Sequence, residues 1–189
     1  GRCNPRQMLL NRDTLPEIAR LVRETNRAAE HAHGHRPYSV LQLTHSGRRS
    51  VDENWQPTPL GTQSNPYLDD HNSIDGRAGT LAIASDEKIE AIIAQFIEGA
   101  VLAAEAGFDS VDIKICHEYI LRELLASFGR PGKFGGSFEN RTRAVFDILN
   151  GIRFRIGTAL DVCVRLNAYD CIPYPYGWGM VQRDGVMRP

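Results

Sequence analysis

An amide, an ammonium and a guanidinium occupy matching places in three alternating stretches of this chain. Gln42 lies in Tyr38-Ser39-Val40-Leu41-Gln42-Leu43-Thr44-His45, Lys114 in Val111-Asp112-Ile113-Lys114-Ile115-Cys116-His117, and Arg165 in Asp161-Val162-Cys163-Val164-Arg165-Leu166-Asn167. Successive side chains of a strand point to opposite faces. Gln42, Lys114 and Arg165 therefore fall on the less apolar face of their strands, with aliphatic residues behind them. The aliphatic face must be covered, most simply by helices, while the other gathers three hydrogen-bonding groups, two of them cationic. Strands lining a polar site inside a barrel read in this way, so a ligand site is the first expectation.

The elements between these stretches read as helices. Leu15 to His31 carries the stripe Ile18, Leu21, Val22 and Thr25, with Thr14 as N-cap and Pro16 and Glu17 in the first turn, where both are favoured. Asp86 is expected to cap a helix from Glu87 to Ala106 that ends at Gly107. A short helical pattern spans Tyr119 to Phe128, and Ser137 can cap a longer helix through Ile156 with Val145, Phe146, Leu149 and Ile152 as its buried stripe. Ser46 to Ala84, punctuated by Pro57, Pro59, Gly61, Pro66, Gly76 and Gly79, reads as a long excursion of the kind that serves as a lid or binding loop. Cys171 to Pro189 reads as loop. Helix and strand thus alternate, which implies parallel strands joined by helical crossovers.

An open doubly wound sheet and a (β/α)8 barrel both fit that alternation. Polar residues on strand faces favour the barrel, because central strands of an open parallel sheet are apolar on both faces. No glycine-rich phosphate fingerprint follows any of the strands. Barrel chemistry gathers at the C-terminal ends of strands, where His45, Lys114, His117 and Arg165 are expected to lie.

Composition narrows the class. A chain of 189 residues, 42% hydrophobic and 24% charged, suits a sizeable globular domain. A net charge of −1 without a basic run argues against nucleic acid as the main partner, and no apolar run approaches the roughly 20 residues of a membrane-spanning helix. Cys3, Cys116, Cys163 and Cys171 have no CxxC spacing, so no metal site is expected; Cys116 and Cys163 read as buried, reduced thiols, and a cytoplasmic setting is the default. Gly1 stands where an initiator Met is expected, which suggests a processed chain or a piece of a longer one.

Four motifs carry a resemblance. Gln42-Leu43-Thr44-His45-Ser46-Gly47-Arg48 resembles the Q-L-x-H-x-G-R strand end of the old yellow enzyme (NADH:flavin oxidoreductase) family. Ala106-Gly107-Phe108-Asp109-Ser110-Val111-Asp112-Ile113, Cys116-His117-Glu118-Tyr119 and Phe134-Gly135-Gly136-Ser137-Phe138-Glu139-Asn140-Arg141 are similar to its A-G-F-D-G-V-E-I, A-H-G-Y and Y-G-G-S-x-E-N-R signatures. The resemblance implies an FMN-containing (β/α)8 barrel that passes hydride from NAD(P)H through the flavin to an unsaturated carbonyl or similar small-molecule acceptor. It implies that Gln42 hydrogen-bonds the flavin pyrimidine edge and that Arg165 lies near N1 and O2. It also implies that His117 holds the substrate carbonyl with Lys114 as the first member of the pair, and that Tyr119 is the proton donor.

Two departures qualify the resemblance. Lys114 stands where histidine is usual and Glu118 where glycine is usual. The chain also spans only about the third to the fifth strand with flanking helices, so residues 1–189 are expected to be the central part of a single barrel domain, truncated at both ends. Oligomeric state is left open. Two other readings stand beside the flavin one: a Schiff-base lyase or aldolase using Lys114, and an inactive truncated fragment. Structural roles also compete at single residues. Lys114 could pair with Asp112, Arg165 with Asp112 or Asp170, and His45 and Arg141 could brace loops. Tyr119 could serve in packing, and Tyr174, Tyr176 and Trp178 of the tail could either line an active-site loop or pack on the surface.

Overall fold

Parallel strands need a crossover of a dozen or more residues, and the helical segments between the alternating stretches are long enough to provide it. The computed structural model describes residues 1–69, 73–74 and 77–189. Its first half runs α1 (Leu15–His33), β1 (Val40–Leu43), a 3-10 turn (Gly47–Arg49), β2 (Leu60–Gly61), β3 (Ser73–Ile74), β4 (Arg77–Ala78) and β5 (Ala82–Ile83). The second half runs α2 (Asp86–Ala106), β6 (Ser110–Ile115), α3 (Ile120–Leu125), α4 (Phe138–Ile156), β7 (Asp161–Leu166), β8 (Val181–Arg183) and β9 (Val186–Arg188). Strands β1, β6 and β7 form one parallel sheet in that order.

Strand β6 is central and holds the core. Its Val111, Ile113 and Ile115 are buried against Ile89, Ile92, Ile93, Phe96 and Ala100 of α2 and Ala144, Ile148 and Ile152 of α4. Each aliphatic side chain buried there contributes roughly 1.5–3 kcal/mol. At the edge the cover is thinner, and Val164 and Leu166 of β7 stay 46% and 50% exposed.

Helix ends depart from expectation where a neighbour offers a better bond. Thr14 makes no side-chain cap; its Oγ1 accepts from the Asn11 amide at 3.0 Å instead. Ser85, not Asp86, caps α2 by accepting from Lys88 N, and this frees Asp86 to receive Arg130 and the Lys133 amide at 2.7 and 2.9 Å. Ser137 caps α4 as expected, and Gly107 ends α2 in the left-handed region at φ 91°.

Other corrections are of packing. Leu21 and Phe146 are exposed, because α1 buries Ile18 and Val22 and α4 turns Ala144, Ile148 and Ile152 inward. Cys163 is exposed, since it shares the polar sheet face with Asp112, its neighbour in register, while Cys116 is buried. The tail is not all loop: β8 and β9 form an antiparallel hairpin around Asp184 and Gly185, both at positive φ, as the Asp-Gly turn signal demands. The excursion after β1 forms two small parallel strands, β2 and β5, and the antiparallel pair β3 and β4; Gly76 lies outside the described residues.

Candidate active site

At the end of β6 the chain makes an abrupt turn. His117 and Glu118 both sit in the left-handed region, at φ 60° and 58°, where few residues other than glycine are found. A non-glycine residue there costs on the order of 1–2 kcal/mol. The family signature that this stretch resembles has glycine at the second position, the residue that adopts positive φ at no steric cost. Arg49 holds the Glu118 carboxylate at 3.3 Å. Two backbone bonds then fix the start of α3, Tyr119 N to Cys116 O and Ile120 N to His45 O, both 3.3 Å. His45 itself braces the loop: its Nδ1 accepts from Gly47 N at 3.2 Å. Burial, and then the positive charge of the chain's amino terminus and of Lys88, lower its imidazole to about 3, so it stays neutral.

Register brings the three polar residues to one sheet face. Gln42 stands beside Asp112, and Lys114 beside Arg165. Because Asp112 and Lys114 are two residues apart, the four side chains share a face. The Gln42 amide nitrogen donates to Asp112 Oδ2 at 2.6 Å. The Lys114 ammonium lies 3.9 Å from the centre of the Tyr119 ring, a cation–π contact. Neither Lys114 nor Arg165 makes an ion pair among the described residues. Asp170 is held by Arg122 and accepts from Asn167 Nδ2 at 3.1 Å and Trp178 N at 2.7 Å. The competing structural pairings of the two cations with Asp112 or Asp170 therefore do not form among the described residues.

His117 and Tyr119 line a cleft of about 690 Å³ together with Arg49, Glu118, Asn167 and Asp170. His117 is exposed and Tyr119 half-buried. Burial first, then a 3.5 Å bond from the phenol to the Cys3 thiol, raises the Tyr119 hydroxyl to about 12, so it keeps its proton at any ordinary pH. Burial also raises the Cys116 thiol. Among the described residues no cluster of three or more His, Cys, Asp or Glu suits a metal ion, and no helix is long and apolar enough to cross a membrane.

A buried ionic hub around the cleft was not anticipated. Arg122 and Glu123, adjacent in α3, are buried on both sides of it. Arg122 pairs with Asp170 in the loop after β7, and Glu123 forms an ion pair with Arg48, Nε to Oε1 2.9 Å, and accepts a hydrogen bond from the Thr62 amide at 3.2 Å. Arg48 also pairs with Asp69. Burial raises the Glu123 carboxyl to about 7, against the opposing pull of Arg48. The available signal was the pair Arg122-Glu123 inside an otherwise aliphatic run, Ile120 to Leu125. Arg141 does brace its loop, through the Gly136 and Leu125 carbonyls. Trp178 stacks on Phe138, Tyr174 meets Phe128 edge-on and Tyr176 meets Tyr67 edge-on, so each tail aromatic has a packing partner.

A parallel α/β scaffold with a polar, cation-bearing sheet face and a cleft at its strand ends has the form of a cofactor-dependent enzyme domain. Residues 20–175 match the profile of the NADH:flavin oxidoreductase / NADH oxidase family, and the chain belongs to that family. The NADPH dehydrogenase of Clostridium acetobutylicum is 30% identical over 149 residues, covering 78% of this chain and 40% of that enzyme. The NADH:flavin oxidoreductase FG08077 of Gibberella zeae is 39% identical over 90 residues, 47% of this chain and 22% of that protein. Among solved structures, a 2-naphthoyl-CoA reductase in complex with 2-naphthoyl-CoA superposes with a TM-score of 0.67 at 27% identity, over 86% of this chain and 25% of its own. An old yellow enzyme from Pichia sp. AKU4542 superposes equally well, TM-score 0.67, at 22% identity over 90% of this chain and 46% of its own, a likeness of fold. The chain thus spans less than half the length of these relatives.

Proposed function

We propose that the chain is the central part of a single FMN-binding (β/α)8 barrel domain, supplying about the third to the fifth strand with their helices. The domain belongs to an oxidoreductase that takes hydride from NAD(P)H and delivers it to an unsaturated carbonyl or similar acceptor. The observation that carries this reading is the shared face of Gln42, Lys114 and Arg165, with Asp112 engaged by Gln42 and Asp170 by Arg122, so that neither carboxylate pairs with the two cations.

The residues fit a flavin by the chemistry of their donors. Gln42 offers an amide to a pyrimidine edge, and Arg165 offers a permanently charged fork to N1 and O2. When bound, FMN would supply the two-electron chemistry, accepting and releasing hydride. A fixed guanidinium is preorganised for negative charge on the ring and needs no rearrangement to stabilise it. His117, exposed at the cleft, is placed to donate a hydrogen bond to an acceptor's carbonyl oxygen. Tyr119 retains its proton and can deliver it to the carbon beside that carbonyl once its hydroxyl leaves Cys3. Lys114 lies against the Tyr119 ring, which sets it to act on the tyrosine as well as on a carbonyl. The Schiff-base reading through Lys114 is not favoured, since the family is one of flavin oxidoreductases.

The test is to purify the full-length polypeptide carrying this chain with added FMN. A yellow protein that consumes NAD(P)H in reducing a cyclic enone is expected, with Arg165→Met lowering flavin affinity at least tenfold. Tyr119→Phe is expected to slow acceptor reduction roughly 10²-fold or more, the scale of general acid catalysis, with flavin uptake unchanged. A protein that stays colourless overturns the reading. The 189-residue chain measured in parallel shows whether the isolated piece binds flavin or is inert.

A further inference from the structure

The Gln42 amide has a donating end and an accepting end, and the end that meets a ligand decides which ligand atoms it can read. A carboxylate only accepts. The 2.6 Å contact with Asp112 Oδ2 is therefore made by Nε2, and the carbonyl Oε1 is turned away from Asp112. Reversing the amide would break a charge-assisted bond, about twice as strong as a neutral one, and set a carbonyl oxygen against a carboxylate. Asp112 is free to hold this orientation. It makes no ion pair with Lys114 or Arg165, and Gln42 is its hydrogen-bond donor among the described residues, its other oxygen being buried without one.

We propose that Asp112 is a positioning residue that locks the Gln42 amide with its oxygen outward, so that the site selects a ring bearing an imide N–H. This rests on the flavin reading, in which that group is N3–H of the isoalloxazine. A locked acceptor pairs with N3–H without first losing rotamer freedom, and such preorganisation is realised as affinity. Asparagine at position 112 presents a donor as well as an acceptor and leaves both amide orientations open.

The experiment measures dissociation constants of the full-length apoprotein for FMN and for 3-methyl-FMN, in which N–CH3 replaces N3–H. The wild type is expected to prefer FMN by about tenfold or more, the scale of one good hydrogen bond. Asp112→Asn is expected to weaken FMN about tenfold while barely moving 3-methyl-FMN, so that the preference collapses. In a Gln42→Ala background the same change should cost nothing further, because its effect passes through the amide. Loss of a negative charge would, if anything, tighten binding of a phosphorylated ligand, so simple electrostatics predicts the opposite sign. Asp112→Glu, which keeps the acceptor, should preserve the discrimination. If Asp112→Asn does not fold, Asp112→Ser carries the same expectation, since a hydroxyl imposes neither orientation. Discrimination that survives Asp112→Asn, or a penalty undiminished in Gln42→Ala, overturns the inference. Equal binding of both flavins by the wild type overturns it alone, whereas binding of neither overturns the flavin reading together with it.

Discussion

Glu118 holds a backbone conformation that ordinarily favours glycine. Its φ of 58° follows another positive φ at His117, and the turn they make carries the chain from β6 into α3 with Tyr119 at the junction. A non-glycine residue holds this conformation because of what surrounds it: the backbone bond from Ile120 to His45 and the grip of Arg49 on the carboxylate. Two substitutions separate strain from side-chain contact. Glu118→Gly relieves the backbone but loses a half-exposed ion pair, worth at most about 1 kcal/mol, and gives the unfolded chain more freedom. The melting temperature should therefore change little. Glu118→Val loses the same ion pair and adds a β-branched side chain, a genuine outlier in this region, so it is expected to lower the melting temperature more than Glu118→Gly does. Thermal melts of the two variants check this; equal losses would mean that the carboxylate, not the backbone, governs the turn.

Among the elements, α3 has an influence out of proportion to its six residues. All six are buried, and its adjacent Arg122 and Glu123 reach opposite ways, to Asp170 after β7 and to Arg48 and Thr62 in the excursion after β1. Breaking a buried pair by removing one partner typically costs about 3–5 kcal/mol, so this helix ties two loops at the strand ends to the core. Because burial holds the Glu123 carboxyl at about 7, well above its ordinary 4.5, the folded state keeps a proton that the unfolded chain has released. Its contribution is complete below about pH 4.5 and is lost as pH rises through about 7. The melting temperature is expected to decline over that window, and Glu123→Gln, a neutral mimic of the protonated acid, should flatten the decline. A slope unchanged in the variant would assign it to another group. The sequence made the helices and the parallel strands legible because their periods are distinct, 3.6 against 2. It also made the polar face legible, since alternation alone puts Gln42, Lys114 and Arg165 on one side. It did not reveal the Arg48–Glu123 and Arg122–Asp170 pairs, which join residues 75 and 48 apart, nor that Ser85 would displace Asp86 as a cap once Arg130 claimed the carboxylate. Such choices depend on partners brought together only by the fold.

For the molecule as a whole, the sheet has two open sides. Strand β1 and strand β7 are both edges, and β7 leaves Val164 and Leu166 half-exposed on the face that α2 and α4 cover elsewhere. Phe154, near the end of α4, is 90% exposed. A strand with unpaired backbone groups and apolar side chains is a template for another strand, and contiguous exposed apolar surface marks a place where protein is normally covered. In the proposed barrel the flanking strands and helices would provide that cover. The isolated 189-residue chain is therefore expected to self-associate as concentration rises, with sedimentation velocity showing species heavier than 21.1 kDa. Leu166→Lys and Phe154→Ser place polar groups where solvent already reaches, at positions 50% and 90% exposed. Together they should shift the chain toward monomer with little change in its melting temperature, whereas the same Leu166→Lys in the full-length protein should destabilise it if the proposed barrel covers this position with a packed layer. A chain that is monomeric at all concentrations, and a full-length protein indifferent to Leu166→Lys, would mean that the β7 edge is a true outer surface and not an interior one.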